Sequence, residues 1–318
     1  MSRPADGPLA VGVDLGGTKI DARLLDTTGR VFAHTRAATP RTGGDAVIDR
    51  IVDAVATVTE GLDRDALAGI GVGAAGVIDP ADGNVVDATD AIPGWKGVRL
   101  ATALSQRTGL PVRVVNDVHA HALGEFAAAG LPGDASLLLI AVGTGIGGAF
   151  VRDGGVMAGA HGAAGHFGHI ASPHAAGLAC SCGGLGHAEA SGSGPAILEA
   201  FQRLGGMAPD TYAVARSAEQ GDERALTAVE LSARTVGSLV GSLVNSFDPT
   251  HVVVGGGVPH IAGWWQAFEA AARHEALPLL RSFTVSPSSS EAAACIGAAS
   301  LILGSVRTSS TNRSTPHD

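Results

Sequence analysis

The segment Leu9-Ala-Val-Gly-Val-Asp14, running straight into Leu15-Gly16-Gly17-Thr18-Lys19, decides the fold. Its first half is a short apolar run bounded by a turn signal, the pattern of a buried strand. Its second half is a tight glycine turn, after which residues 20–25 read as a returning strand. The device recurs further on, where Leu137-Leu-Leu-Ile-Ala-Val142 leads into Gly143-Thr144-Gly145-Ile146-Gly147-Gly148 and residues 149–152 form the return. One such unit in each half predicts two similar α/β lobes.

Outward from these turns the periods alternate as an α/β chain requires. Val47, Ile48, Ile51, Val52, Val55 and Val58 keep helical spacing from Asp45 onward, while residues 67–75 and 112–115 read as strands. A helix opens at Asn116-Asp117 and runs through Ala128. Residues 225–247 predict a long helix, 251–254 a short strand ending in Gly255-Gly256-Gly257, and 292–303 a helix of small residues. The polar stretch after Val306 is expected to be a disordered tail. No linker of domain-separating length is present, so the lobes are expected to meet at a cleft, with residues 1–116 plus 292–306 in a small lobe, 117–291 in a large one and 307–318 as tail.

Composition narrows the function. The 318 residues are roughly twice the ~150 of an average domain. With 45% hydrophobic and 16% charged residues, the chain has material for a core and too little charge for disorder. Lys+Arg 21 against Asp+Glu 30 gives a net charge of −9, which excludes a basic nucleic-acid footprint. The longest uncharged apolar-leaning run, residues 135–151, is broken by glycines and shorter than the ~20 residues of a membrane helix. The opening residues lack a secretory layout, and three cysteines make no disulfide framework. A reducing cytoplasm is the expected compartment.

The turn after Asp14 is suited to phosphate, because glycine removes the Cβ that would keep backbone N–H groups away from phosphate oxygens. Thr18 and Lys19 can donate to the same oxygens, and Asp14 beside them would hold a hydrated Mg2+. A plain glycine hairpin is the alternative. Lys19 is nonetheless informative, since the chain has only two lysines, Lys19 and Lys96. The Gly143–Gly148 run duplicates this cradle, and Gly255-Gly256-Gly257 would suit the adenosine end of a nucleotide. Asp117, at a strand's carboxyl end, reads either as a helix cap or as a carboxylate placed where α/β proteins bind ligands, able there to accept a proton from an attacking hydroxyl. Seven of the twelve histidines lie between residues 119 and 187, together with Cys180 and Cys182. His169, Cys180, Cys182 and His187 are a donor set for tetrahedral structural zinc, with His161, His166 and His174 as competing ligands.

Taken together these residues resemble the ROK family of sugar kinases and sugar-responsive repressors, over about residues 9–303. The matching pieces are Asp14–Lys19, Gly73-Ala-Ala-Gly76, Pro93-Gly-Trp95, Val115-Asn-Asp117, Gly143–Gly148, Gly165-His-Phe-Gly-His169, Cys180-Ser-Cys-Gly-Gly-Leu-Gly-His-Ala-Glu189, Asp248-Pro249, Gly255–Gly257 and Gly297-Ala-Ala299. The resemblance implies an actin-like, ribonuclease-H-type pair of α/β lobes with an interlobe cleft for sugar and ATP. It makes Asp117 the general base and assigns Gly76, Thr89, Asn116, Asp117, His166, His169 and Glu189 to the sugar. It assigns Asp14, Gly16, Gly17, Thr18, Lys19, Thr144, Gly145, Gly255 and Gly256 to ATP and Mg2+. His169, Cys180, Cys182 and His187 become the ligands of a structural Zn2+, which would freeze the loop carrying the sugar contacts. A homodimer is implied as well.

Two positions depart from the family pattern. His166 stands where a sugar-binding glutamate is usual, and His187 where a third cysteine is usual. The second change is mild at zinc. The first replaces an anionic acceptor by a group that can donate or accept.

The function expected is therefore an ATP-dependent hexose kinase acting on the 6-hydroxyl of glucose or a glucose-like hexose. The alternative suggested by His166 is an amino-sugar kinase acting on kanosamine or an N-acetylhexosamine. A sugar-sensing repressor, which would need an added DNA-binding helix-turn-helix, is the less expected reading, since eight residues precede Leu9 and the chain is acidic. A non-catalytic sugar binder is at odds with the presence of Asp14, Lys19 and Asp117. Neither a nucleic-acid nor a membrane partner is expected.

Overall fold

The computed structural model describes residues 7–89, 91–288 and 291–311. In chain order the elements begin with β1 (Leu9–Leu15), β2 (Lys19–Leu25), β3 (Val31–Ala38), α1 (Gly44–Val58), β4 (Leu67–Ala74), β5 (Val77–Ile78) and β6 (Val85–Asp87). There follow α2 (Leu100–Thr108), β7 (Val112–Asn116), α3 (Asp117–Ala128), β8 (Ser136–Val142), β9 (Ile146–Arg152) and β10 (Gly155–Val156). The rest is α4 (Glu189–Gly192), α5 (Gly194–Arg203), α6 (Thr211–Glu219), α7 (Glu223–Phe247), β11 (His251–Gly255), α8 (Trp264–Glu275), β12 (Thr284–Pro287) and α9 (Ala293–Thr311).

The chain divides into two compact units. One is built from the chain up to Gly133, Gly154–Ala164 and the C-terminal segment that contains α9; the other is Asp134–Asp153 with Gly165–Ser288. In the first, the sheet order is β3-β2-β1-β4-β7. β1 pairs antiparallel with β2 and parallel with β4, and β4 pairs parallel with β7. In the second, β8 pairs antiparallel with β9 and parallel with β11, and β11 pairs parallel with β12. Each unit therefore opens with an antiparallel hairpin and adds parallel strands on the far side of its first strand, which is the repetition expected from the glycine turns.

Periodicity and burial agree in detail. On α1 the helically spaced Val47, Ile48, Ile51, Val55 and Val58 are buried against the first sheet's core, whereas Val52 is only half-buried. The second core is formed by β8, β11 and the helices α5, α7 and α8, with Trp264 and Phe268 stacked 4.9 Å apart at its centre.

Three boundaries differ from expectation. First, α3 belongs with the N-terminal unit, moving the division from 116/117 to 133/134. The cause is close packing of α3 on α9: a Cβ on Gly297 would lie 1.8 Å from the carbonyl oxygen of Ala120, so the two backbones touch where no side chain intervenes. Second, α9 runs to Thr311, into the stretch expected to be a tail, because extending a helix already anchored by Cys295, Ala299, Ile302 and Leu303 is easier than starting one. Residues 312–318 of that tail lie outside the described residues. Third, Gly147 and Gly148 belong to β9, so the second turn is Gly143–Gly145. Gly148 is instead a packing glycine, since a Cβ there would lie 2.5 Å from the Phe167 ring.

Candidate active site

Parallel pairing brings the carboxyl ends of β1, β4 and β7 side by side. Asp14 pairs with Gly73 on β4, and Ala74 pairs with Asn116 on β7, so Asp14 and Asp117 stand at one edge of one sheet. Gly73 lets α3 descend onto this edge, because its missing Cβ would lie 2.6 Å from the Ala120 methyl and 3.4 Å from the Asp117 Cα.

The N-cap of α3, the helix that opens here, is Asn116 and not Asp117. The Asn116 Oδ1 accepts from the N–H groups of Val118 (2.9 Å) and His119 (3.2 Å). Its Nδ2 donates to the Gly76 carbonyl at 2.9 Å, which ties the loop after β4 to the same point. Asp117 adds to the same helix start, its Oδ1 accepting from the Val118 N–H at 2.9 Å, and its carboxylate is hydrogen-bonded to its own N–H and to the Asn116 side chain as well. Burial pushes the Asp117 carboxyl above the usual carboxylate range. Asp14 is raised to about 6, first by burial and then by the like charge of Asp117, with Lys19 opposing. Two carboxylates that repel one another in a half-buried site are stabilised by a cation between or beside them.

The turn between β1 and β2 is held from inside. The Gly16 N–H donates to the Lys19 carbonyl at 3.0 Å, and Thr39 clamps the turn by donating its hydroxyl to the Gly16 carbonyl at 2.8 Å and its N–H to the Thr18 carbonyl at 3.1 Å. The Gly16 amide is therefore spent on the turn. Thr18 and Lys19 are exposed and able to meet a phosphate, with Gly17 half-buried between them and Gly16. Lys96 is a surface residue paired with Asp87 at 2.8 Å. Trp95, buried, donates its indole N–H to the Ala75 carbonyl at 2.9 Å, which explains the Pro93-Gly-Trp95 motif as a support for the loop carrying Gly76. Thr89 is exposed.

The second unit carries the remaining residues. Its turn is closed by the Gly143 N–H on the Gly145 carbonyl at 2.9 Å, leaving Thr144 exposed at the tip. Glu189, on α4, joins this turn to the cysteine loop: its Oε2 accepts from the Ile146 N–H at 2.9 Å and its Oε1 from the Ser181 hydroxyl. Gly255 ends β11, and Gly256 has φ +93° where a Cβ would lie 2.1 Å from the Val142 carbonyl oxygen, so only glycine fits. A cavity of about 320 Å³ adjoins Thr144 and Gly257 and is closed on its far side by α6.

His169, Cys180, Cys182 and His187 converge, their ligand atoms all lying within 4.8 Å of one another. The Cys180 Sγ is 3.5 Å from His169 Nδ1, and the Cys182 Sγ is 3.2 Å from His187 Nδ1. Zinc bonds of ~2.0–2.3 Å place tetrahedral ligands roughly 3.3–3.8 Å apart; these two pairs stand close to that spacing, and the donor types are those zinc takes. Of the competing histidines, His161 belongs to the other unit, and His166 and His174 are outside this group. His166 is exposed, its ring nearly parallel to that of His169 at 6.2 Å. Cys295, buried, lies 3.6 Å from the Asp21 carbonyl oxygen, and burial pushes its thiol far up, which disfavours the reactive thiolate.

Sequence reasoning missed Thr39 and Ser181. Thr39 acquires its role from a turn more than twenty residues away, which no local pattern signals, whereas Ser181 bonds Glu189 eight residues on, within the cysteine motif, and that motif could have found it.

The ROK family model matches residues 10–305. A glucokinase of Halalkalibacterium halodurans is 34% identical over 78% of this chain and 80% of its own. An N-acetylmannosamine kinase of Escherichia coli is 34% identical over 80% of this chain and 84% of its own. The crystal structure of a ROK family glucokinase from Streptomyces griseus, in complex with glucose and AMPPNP, superposes with a TM-score of 0.76 at 32% identity, covering 92% of this chain and 99% of the other.

Proposed function

The chain belongs to the ROK family, and we propose that it is an ATP-dependent hexose kinase, transferring the γ-phosphoryl group to the 6-hydroxyl of glucose or a glucose-like hexose. The observation that carries this reading is that Asp14 and Asp117 stand at one edge of one sheet and repel one another as like charges, while the N-cap of α3 is Asn116.

Asp117 orients the 6-hydroxyl and accepts its proton as the oxygen attacks the γ-phosphorus and the bond from that phosphorus to the bridging oxygen breaks, releasing ADP; burial favours the protonated carboxyl that results. Thr18 and Lys19 hold phosphate oxygens, and Thr144 with Gly145 does so from the second turn. Asp14 holds a hydrated Mg2+, which when bound neutralises phosphate charge and relieves the repulsion between Asp14 and Asp117. Phosphoryl transfer asks chiefly for positioning and charge stabilisation, which is what one base and two glycine turns supply. Gly76, Thr89, Asn116, His166, His169 and Glu189 hold the sugar hydroxyls. Asn116 does so with the capacity left by its cap and its bond to Gly76. Gly255 and Gly256 border the nucleoside. Zn2+ at His169, Cys180, Cys182 and His187 locks the loop whose Ser181 holds Glu189.

The three cysteines are free, which suits a reducing cytoplasm, and no described helix is long and apolar enough to cross a membrane. A homodimer belongs to the same reading and is tested by light scattering.

The test is a coupled assay with MgATP against glucose, mannose, kanosamine and N-acetylmannosamine. Glucose is expected to be phosphorylated, and no turnover with any sugar refutes the reading. The second reading, an amino-sugar kinase, is favoured by His166 and by the N-acetylmannosamine kinase relatives. His166→Glu should then move kcat/KM toward glucose by roughly 1–3 kcal/mol, the scale of one buried polar contact. Unchanged ratios would remove His166 from sugar choice.

A further inference from the structure

The cavity of about 320 Å³ on the second unit is at the lower end of the ~300–1,000 Å³ of small-molecule sites. It begins at Gly143 and Thr144, the turn that holds phosphate in the proposed function, and passes Gly257 to end against α6. Its size suits a nucleoside, and its continuity with a phosphate turn says which part of which ligand enters. Pro195, Ala215, Val258 and Ile261 give it apolar walls. At its edge stands Tyr212, the sole tyrosine of the chain, 80% exposed at the first turn of α6.

An exposed tyrosine elsewhere on a surface would carry nothing. This one borders a site with few other means of reading a base. Of the polar side chains in the lining, Thr211 donates its hydroxyl to the Gly194 carbonyl at 2.8 Å, and Asp210 caps α6 by accepting from the Ala213 N–H at 2.8 Å. Both are engaged in holding the start of α6, which fixes where Tyr212 stands. Apolar walls and one aromatic ring recognise the flat face that every base has, whereas discrimination by orders of magnitude requires polar groups dedicated to the base edge.

We propose that Tyr212 is the stacking wall of the nucleobase site, so that the phosphoryl donor is held by the face of its base and adenine and guanine nucleotides are accepted alike. The inference rests on the proposed nucleotide-dependent reaction and deepens it. Asp210 and Thr211 act as positioning residues, through the N-terminus of α6.

The test uses the full chain as wild type, Tyr212→Ala and Tyr212→Phe. MgATP and MgGTP are compared by calorimetric binding and by steady-state kinetics with a saturating sugar. Wild-type kcat/KM for the two nucleotides is expected to agree within about tenfold. Tyr212→Ala should weaken binding of both, and raise both KM values, by roughly tenfold or more, with kcat and the sugar KM nearly unchanged. Tyr212→Phe keeps the ring and should behave as wild type. Because Tyr212 is exposed, the alanine variant is expected to fold, and an unchanged sugar KM would establish that it has.

Equal nucleotide affinity in wild type and Tyr212→Ala overturns the stacking role. A preference for ATP over GTP of a hundredfold or more overturns recognition by the face. A wild type that binds MgATP without phosphorylating any sugar refutes the proposed reaction, and the binding ratio then decides Tyr212 alone. A wild type that binds neither nucleotide overturns both.

Discussion

Replacing Asp14 by asparagine should make the metal-free protein more stable while removing its use of MgATP. Burial, and next the charge of Asp117, raise the Asp14 carboxyl from 3.8 to about 6. In the unfolded chain the group titrates near its ordinary ~3.9. Between about pH 4 and pH 6 the native state therefore keeps a proton that the unfolded chain has lost, and stability falls as pH rises through that window. Above it the ionised carboxylate weakens the fold by a constant amount. The difference, 6 − 3.8 = 2.2, at ~1.36 kcal/mol per pH unit, corresponds to about 3 kcal/mol. Asparagine carries no charge to bury, so Asp14→Asn should match wild type near pH 4 and exceed it by about 3 kcal/mol at pH 7.5. Relief of Asp117 from repulsion acts in the same direction. Urea unfolding in EDTA across pH 4–8 measures both curves. Added Mg2+ should stabilise wild type and leave the variant unchanged, since only the carboxylate binds it. A stability difference that is the same at pH 4 and pH 7.5 refutes the reasoning, because it would mean that Asp14 is not held charged at the fold's expense.

Asp117→Asn preserves shape and deletes the base, so kcat should fall by ~10²–10⁴ with the sugar KM changed little; near-wild-type turnover would remove Asp117 from that role. Elemental analysis of protein purified without added metal should find one zinc per chain, and Cys180→Ser should lose it together with thermal stability. Zinc retained in that variant counts against the four-ligand site. Gly297→Ala places a Cβ 1.8 Å from the Ala120 carbonyl oxygen and must push α3 away from α9, lowering stability by ~1–3 kcal/mol or more and displacing Asp117. Gly304→Ala on the same helix meets nothing within 4 Å and should be neutral or stabilising, so equal melting temperatures for the two variants would show that the helix contact is not tight.

The two strand–turn–strand devices, the helix over Gly44–Val58 and the long helix α7 were legible in the chain, because burial of a strand or of one helix face leaves a short-range periodic record. The glycine turns and the candidate residues beside them, Asp14, Lys19 and Thr144, are local in the same way. What depends on partners distant in sequence was not legible. That Asn116 and not Asp117 caps α3 follows from φ and ψ at one residue and from the approach of Gly76, which the spacing of the two side chains does not specify. The proximity of Asp14 to Asp117 is created by β4 lying between β1 and β7, a strand order that no local pattern records. Likewise, residues alone left five histidines in contention for a metal, and the path of the loop through Ala171, Ala179 and their bridge partners His187 and Leu185 brought two of them together with Cys180 and Cys182. The membership of α3 was decided by glycine meeting backbone on α9, more than a hundred and fifty residues away. Periodicity constrains which face of an element is buried, and only the assembled fold determines what it is buried against.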